Sequence, residues 1–145
     1  MSDSQFVDSN ILIYAHDEDA GAKRRVAAAK LAELWESGQG CLSTQVLQEF
    51  FVNVTRKIKA PLAHGVAREV VRTYAVWLNV PITAATILRA TEIGEVWQLS
   101  FWDSMIVASA EENRAANLLT EDLNHGQIIA GIEIVNPFRV PAQLT

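Results

Sequence analysis

The sequence predicts an α/β sandwich in which helices flank a central, mainly parallel sheet. Short β-prone segments alternate with longer helical ones along the chain, the pattern of strands joined by helical crossovers. Two acids, Asp8 and Asp122, stand just where such β-prone segments end. Half of the 145 residues are hydrophobic, enough to bury one core.

Taken in order, Gln5–Val7 is the first β-prone segment and residues 10–15 read as a short buried helix. Residues 21–37 are rich in good helix formers, with Val26, Leu31, Leu34 and Trp35 at roughly helical spacing. Gly38 and Gly40 stop that helix, and a second strand is expected at 41–43. Residues 44–58 form a helix on Val46, Leu47, Phe50, Phe51, Val54 and Ile58, until Ala60-Pro61 breaks it. Helices are expected at 62–77 and 83–97, with a strand at 78–82 that admits Pro81 near its end. The last helix is expected at 103–115, followed by a strand at 117–120, a loop at 121–126 and a final strand at Ile132–Val135. No internal repeat or linker interrupts the pattern, so one domain over 1–145 is expected.

Composition removes several classes. The longest uncharged stretch, 73–88, holds Asn79, Pro81 and three Thr, so no membrane span is expected. The first ten residues carry neither a basic region nor a long apolar segment, and no secretory signal is expected. Cys41 stands alone, which excludes an intramolecular disulfide and a Cys-rich zinc site; a reduced cytoplasm is the expected compartment. Seventeen acids against twelve bases give a net charge of −5, which argues against non-specific binding through phosphate neutralisation. A metal site, however, concentrates acids and can have bases around it, so the placement of the acids decides.

Sites in open parallel sheets form at the carboxyl ends of strands, which singles out Asp8 and Asp122. If their strands are neighbours, both carboxylates point into one crevice. Each also has a structural role open to it: Asp8 as the cap of the next helix, Asp122 as an Asx-turn residue. Asp103 opens a helix, where Ser100-x-x-Asp103 fits a capping-box variant and a first-turn acid suits the helix dipole. Phe101, Trp102, Met105, Ile106 and Val107 give it an apolar setting in which a merely solvated acid is not expected. On a helical wheel Glu49 lies with Gln45, Asn53 and Arg56, away from Val46, Phe50 and Val54. A solvated glutamate is the default there, and Glu49 joins a site only if that polar stripe lines the crevice.

Four segments together carry a resemblance: Phe6-Val7-Asp8-Ser9-Asn10-Ile11-Leu12-Ile13-Tyr14, Gln48-Glu49-Phe50-Phe51-Val52-Asn53-Val54, Phe101-Trp102-Asp103-Ser104-Met105-Ile106-Val107-Ala108 and Leu119-Thr120-Glu121-Asp122-Leu123-Asn124-His125-Gly126-Gln127. They resemble the signature segments of PIN-domain ribonucleases, and are especially similar to the VapC-type toxins of bacterial toxin–antitoxin pairs. Each segment is one acid in an apolar frame; the signal is four of them in order, from Phe6 to about Phe138. The resemblance implies a PIN-like three-layer sandwich. It makes Asp8, Glu49, Asp103 and Asp122 the catalytic acids, with Asn10 and Thr120 beside them. Ser9 stands where many relatives have Thr and keeps the hydroxyl. Glu121 is not given a role, and strand alternation is expected to turn it away from Asp122.

Four crowded carboxylates repel one another and become tolerable around a hard cation, Mg²⁺ or Mn²⁺ for an oxygen-only site. The expected ligands are Asp8, Asp103 and Asp122, with Glu49 orienting or deprotonating water, or meeting a second metal. The resemblance implies RNA hydrolysis leaving 5′-phosphate and 3′-hydroxyl ends, a homodimer, and a cognate antitoxin that places a basic residue among the acids. Exposed aromatics such as Trp77, Trp97 or Trp102 are compatible with such a partner. His16, His64 and His125 are too scattered for a zinc site, and His125 reads as a loop residue.

Basic clusters occur at Lys23-Arg24-Arg25 with Lys30, at Arg56-Lys57 with Lys59, and at Arg68/Arg72. Each fits a solvated helix face, and Arg56, Lys57 and Lys59 are the first choice for holding RNA phosphates. Phosphoaspartate chemistry fits less well, because Asn10 stands where a haloacid-dehalogenase pattern needs a second Asp, and 117–125 lacks a receiver domain's lysine. A PIN nuclease that processes RNA without an antitoxin, and a non-catalytic PIN interaction module, stay open.

Overall fold

A computed structural model of the protein describes residues 3–139; the first two and last six residues of the expected 1–145 domain lie outside it. The elements are Gln5–Val7 (β1), Ser9–Ala15 (α1), Ala22–Ser37 (α2), Gly40–Cys41 (β2), Thr44–Arg56 (α3), His64–Tyr74 (α4), a 3-10 turn at Ala75–Trp77, Ala84–Trp97 (α5), Phe101–Glu112 (α6), Asn117–Leu119 (β3), Ile128–Ile129 (β4) and Ile132–Val135 (β5). They build one five-stranded sheet in the order β2-β1-β3-β5-β4, parallel throughout except for the β4–β5 hairpin.

Successive side chains of a strand point to opposite faces. Phe6 and Val7 on β1, and Leu118 and Leu119 on β3, are all fully buried, so the centre of the sheet is covered on both sides. Helices α1 to α4 pack as one group and α5 with α6 as another, which makes the expected α/β sandwich. Toward its edge, β5 buries Ile132 and Ile134 and turns Glu133 to solvent.

Several boundaries differ from those predicted. No strand forms at 78–82: Leu78 makes only an isolated parallel bridge to Leu42. Pro81 has no backbone N–H to donate to a ladder. The expected helix 62–77 is α4 alone, tightened at its end into the 3-10 turn. The helix expected at 103–115 begins two residues earlier, because Ser100 caps it, and ends at Glu112. The sequence predicts no strand at β4, which the structure pairs antiparallel with β5; Ala130 and Gly131, both with positive φ (52° and 82°), close that hairpin as the two-residue turn that matches strand twist. On α2 the buried face is Ala27, Leu31 and Leu34, while Val26 and Trp35 lie largely exposed.

Trp77 is buried, not an exposed aromatic, and its ring packs against the backbone of Gly40 in β2. A Cβ at position 40 would come within 2.9 Å of that ring. Gly40→Ala is therefore expected to destabilise the protein by about 1–3 kcal/mol, the usual range for overpacking, as read by denaturant unfolding. An unchanged midpoint would show that the Trp77 contact is loose.

Candidate active site

Pairing of β1 with β3 in the register Phe6↔Leu118 and Val7↔Leu119 sets Asp8 and Thr120 side by side just past the carboxyl ends of two central strands. The backbone N–H of Asp8 still donates to the Leu119 carbonyl at 3.0 Å, and that of Thr120 to the Val135 carbonyl at 3.0 Å, so both residues are held by the sheet. The strands neighbour each other as the crevice required.

Asp8 is both the helix cap and a member of the cluster. Its Oδ1 accepts from the Ser9 N–H at 2.7 Å, and its Oδ2 accepts from the Thr120 hydroxyl at 2.8 Å. The side chain is only 4% exposed. Burial pushes its pKa up to about 7; the bonds from Thr120 and Ser9 work against that, and the charges of Asp122 and Glu49 add to it. Two opposing influences thus act on one carboxylate, and desolvation wins.

Asp122 sits on the loop after β3. Its N–H donates to Thr120 Oγ1 at 3.1 Å, a turn closed by the threonine hydroxyl and not the Asx turn open to the aspartate side chain. Its Oδ2 also accepts from Asn10 Nδ2 at 3.1 Å, and the same amide donates to Thr120 Oγ1 at 3.3 Å. Although the residue is exposed, the protein wall behind it removes enough water to raise its pKa. The Asn10 bond lowers it, and the charges of Asp103, Glu121 and Glu49 raise it further.

Glu49 is half-buried instead of solvated. Its Oε1 accepts from the Ser9 hydroxyl at 2.9 Å and its Oε2 from Gln45 Nε2 at 3.1 Å. The polar stripe of α3 does line the crevice. Gln45, one turn earlier and itself buried, also donates to the Trp102 carbonyl at 3.2 Å and so ties α3 to the start of α6. Asp103 lies on that first turn, where the Ser100 hydroxyl accepts from its N–H at 3.1 Å. Its carboxylate accepts no hydrogen bond among the described residues, and its charge is felt at Asp122. Met105, Ile106 and Val107 beneath it are buried, but Phe101 and Trp102 beside it are exposed.

The four predicted acids therefore lie near one another, Asp122 and Glu49 acting on Asp8 and Asp103 and Glu49 on Asp122, with Asn10 and Thr120 between Asp8 and Asp122. Sequence reasoning gave no role to Ser9 beyond its hydroxyl or to Gln45 beyond its stripe; both hold Glu49. Glu121 lies past the end of β3, so its side chain is drawn off by its partners and not by strand alternation. It accepts from the Tyr14 hydroxyl, and Lys23 Nζ meets it at 2.8 Å while lying 4.8 Å from the Tyr14 ring centroid. This brace, with Phe138 edge-on to Tyr14, anchors the loop that carries Asp122. His125 Nδ1 accepts from the Asn136 N–H, the structural role expected of a loop histidine.

Of the three bases preferred for RNA, all are exposed, and Lys57 lines a cleft beside the acids. That cleft, about 350 Å³, runs between Gln48, Glu49, Val52 and Lys57 on α3 and Trp102 on α6, with Gln45 and Asn53 in its wall. Two buried amide oxygens near the acids, Asn10 Oδ1 and Gln45 Oε1, have no hydrogen-bond partner. Among the described residues no three acidic, histidine or cysteine side chains form a ready-made cation cage.

The family model for the PIN domain matches residues 6–129. No curated protein matches the chain. Among solved structures, the chain is similar to a toxin–antitoxin complex from Klebsiella pneumoniae, with 23% identity and a TM-score of 0.65 over 94% of this chain and 100% of that one. It is also similar to Mycobacterium tuberculosis VapC20, a sarcin–ricin loop cleaving toxin, with 21% identity and a TM-score of 0.57 over 79% of this chain and 87% of that one. VapBC2 from Rickettsia felis, bound to a promoter DNA fragment, matches at 17% identity and a TM-score of 0.58, over 90% and 96%. At these identities the likeness is one of fold.

The raised Asp8 pKa has a measurable consequence. Between the ordinary 3.8 and about 7, the folded chain keeps a proton that the unfolded chain has released. Stability contributed by this group is therefore lost as pH rises through that window, and the loss is complete above about 7. In chelator-treated protein, Asp8→Asn is expected to flatten this slope and raise Tm at pH 8 by about 5 °C. Thermal melts at pH 5 and pH 8 check it; equal slopes in the two proteins would contradict the burial of this carboxylate.

Proposed function

Because the chain belongs to the PIN-domain family, we propose that it is a metal-dependent endoribonuclease, the toxin of a bacterial toxin–antitoxin pair. The observation that carries this reading is the crevice itself: acids from four distant segments meet at the carboxyl ends of neighbouring parallel strands, where their charges act on one another.

The chemistry of the donors suits a hard cation, although the acids would have to draw together to cage it: they are oxygens only, and two further buried amide oxygens beside them lack partners. Asp8, Asp103 and Asp122 would hold Mg²⁺ or Mn²⁺, which supplies a water of lowered pKa and neutralises charge on the scissile phosphate. The rest of the work falls to the chain. Thr120 fixes Asp8 through its hydroxyl, and Asn10 fixes Asp122 through its amide. Glu49, steadied at both oxygens by Ser9 and Gln45, is placed to orient the attacking water and accept its proton. Lys57, at the edge of the adjoining cleft, holds a neighbouring phosphate.

The toxin assignment is supported by the fold shared with the Klebsiella pneumoniae toxin–antitoxin complex and with the toxin VapC20. Ile87, Leu88 and Val96 on α5 are exposed apolar side chains that suit burial against a second copy or an antitoxin. No helix among the described residues is long and apolar enough to cross a membrane.

Incubating the protein with structured and single-stranded RNAs is expected to give cleavage with Mg²⁺ or Mn²⁺ and none with EDTA. Asp8→Asn and Asp103→Asn should each lower the rate by at least about 100-fold, while Glu121→Gln stays within about tenfold, since only the former groups meet the reacting atoms. Equal rates in wild type and the two Asp variants would remove the acidic cluster from the chemistry. For binding, Lys57→Ala is expected to weaken affinity for all RNAs alike and reduce the salt slope by about one, as loss of a single phosphate contact does. Lys59→Ala, away from the cleft, should leave that slope unchanged.

A further inference from the structure

Lys57 accounts for only one side of the cleft beside Glu49. Opposite it stands Trp102, 62% exposed although it is among the largest apolar side chains of the protein. Its position is fixed on two sides. Gln45 holds its carbonyl at 3.2 Å, and Phe101 packs edge-on against its ring with centroids 4.9 Å apart. The cleft volume of about 350 Å³ lies at the small end of the roughly 300–1,000 Å³ typical of ligand sites. Across the cleft, Val52 offers an apolar contact and Gln48 an amide without a hydrogen-bond partner among the described residues. Asn53 spends its Nδ2 on the Glu49 carbonyl at 2.8 Å, which leaves its amide oxygen as an acceptor.

A flat aromatic wall, neutral amides and one lysine are the chemistry of a nucleobase with its phosphate, not of a phosphate alone. We propose that this cleft is a base-stacking subsite: Trp102 stacks one unpaired nucleobase of the RNA, Gln48 and Asn53 meet its edge, and Lys57 holds the adjoining phosphate. A base inside a duplex cannot present its face to an indole, so the subsite selects single-stranded or looped RNA next to the scissile bond. The inference rests on the nuclease reading for its substrate.

The test uses the indole N–H signals of the four Trp in NMR spectra of the intact protein in EDTA, with Trp102 assigned by the signal missing from Trp102→Phe. A short single-stranded oligoribonucleotide and a blunt RNA duplex of the same composition are titrated in. The expected result is a shift of the Trp102 signal with the single strand and not with the duplex. Trp102→Ala should raise Kd for the single strand about five- to a hundredfold, with Trp102→Phe retaining most of the affinity. Signals of the other three Trp, unchanged in Trp102→Ala, establish that the variant is folded. A Trp102 signal indifferent to the single strand, or an unchanged Kd in Trp102→Ala, overturns the proposal. So does a Trp102 signal that moves with protein concentration alone, which would assign the aromatic wall to contact between copies. Because the titration needs no cleavage, its outcome stands apart from that of the cleavage assay.

Discussion

The parallel pairing of β1 with β3 is the constraint on which the site depends. Its register places Asp8 and Thr120 one step beyond Val7 and Leu119. A slip of one residue would carry each side chain to the other face of the sheet. Such a slip is opposed by the core, because Phe6, Val7, Leu118 and Leu119 are buried on two covered faces and none can exchange places with a polar neighbour without loss. The hydrophobic packing of four residues thus aims the hydroxyl of Thr120 at Asp8, and through Asn10 aligns Asp122 with both.

Around that fixed point the side chains are arranged against their own electrostatic preference. Asp8 would be easier to accommodate protonated, yet Thr120 and the Ser9 N–H are oriented to accept it charged. Glu49 is drawn into the same crevice by Ser9, the residue that follows Asp8, and by Gln45. On the proposed reading, a bound cation would offset the repulsion among these carboxylates that the fold builds in.

The net charge of −5 loses its apparent conflict with a polyanionic substrate once the charges are placed. Lys23 is engaged by Glu121, Lys30 by Glu33, and Arg72 by Glu69, so each of those basic clusters spends part of its charge on the protein itself. Lys57 has no such partner among the described residues and lies at the mouth of the cleft that adjoins the acids. Under the proposed function, affinity for RNA would rest on a few placed contacts and on aromatic surface more than on overall charge.

Periodicity and turn residues made the alternation of strands and helices, the fold class and the order of the four acidic segments readable from the chain, because these follow from contacts close in sequence. The acids at strand ends were legible for the same reason. Local signals failed where pairing decides: the two-residue strand β4 exists only by pairing with β5, and residues 78–82 stay out of the sheet because the segment opposite them turns into α3 at Thr44, which leaves Leu42 and Leu78 a single bridge. Trp77 and Trp102 look alike in sequence, yet one is buried over Gly40 and the other stands open beside Glu49. Glu49 itself read as a solvated glutamate until α3 was laid against α1 and Ser9 came within 2.9 Å. The sequence by itself determined which residues can carry the chemistry; only the tertiary structure decided which of them meet, because that depends on burial and on bonds between residues 40 to 112 positions apart.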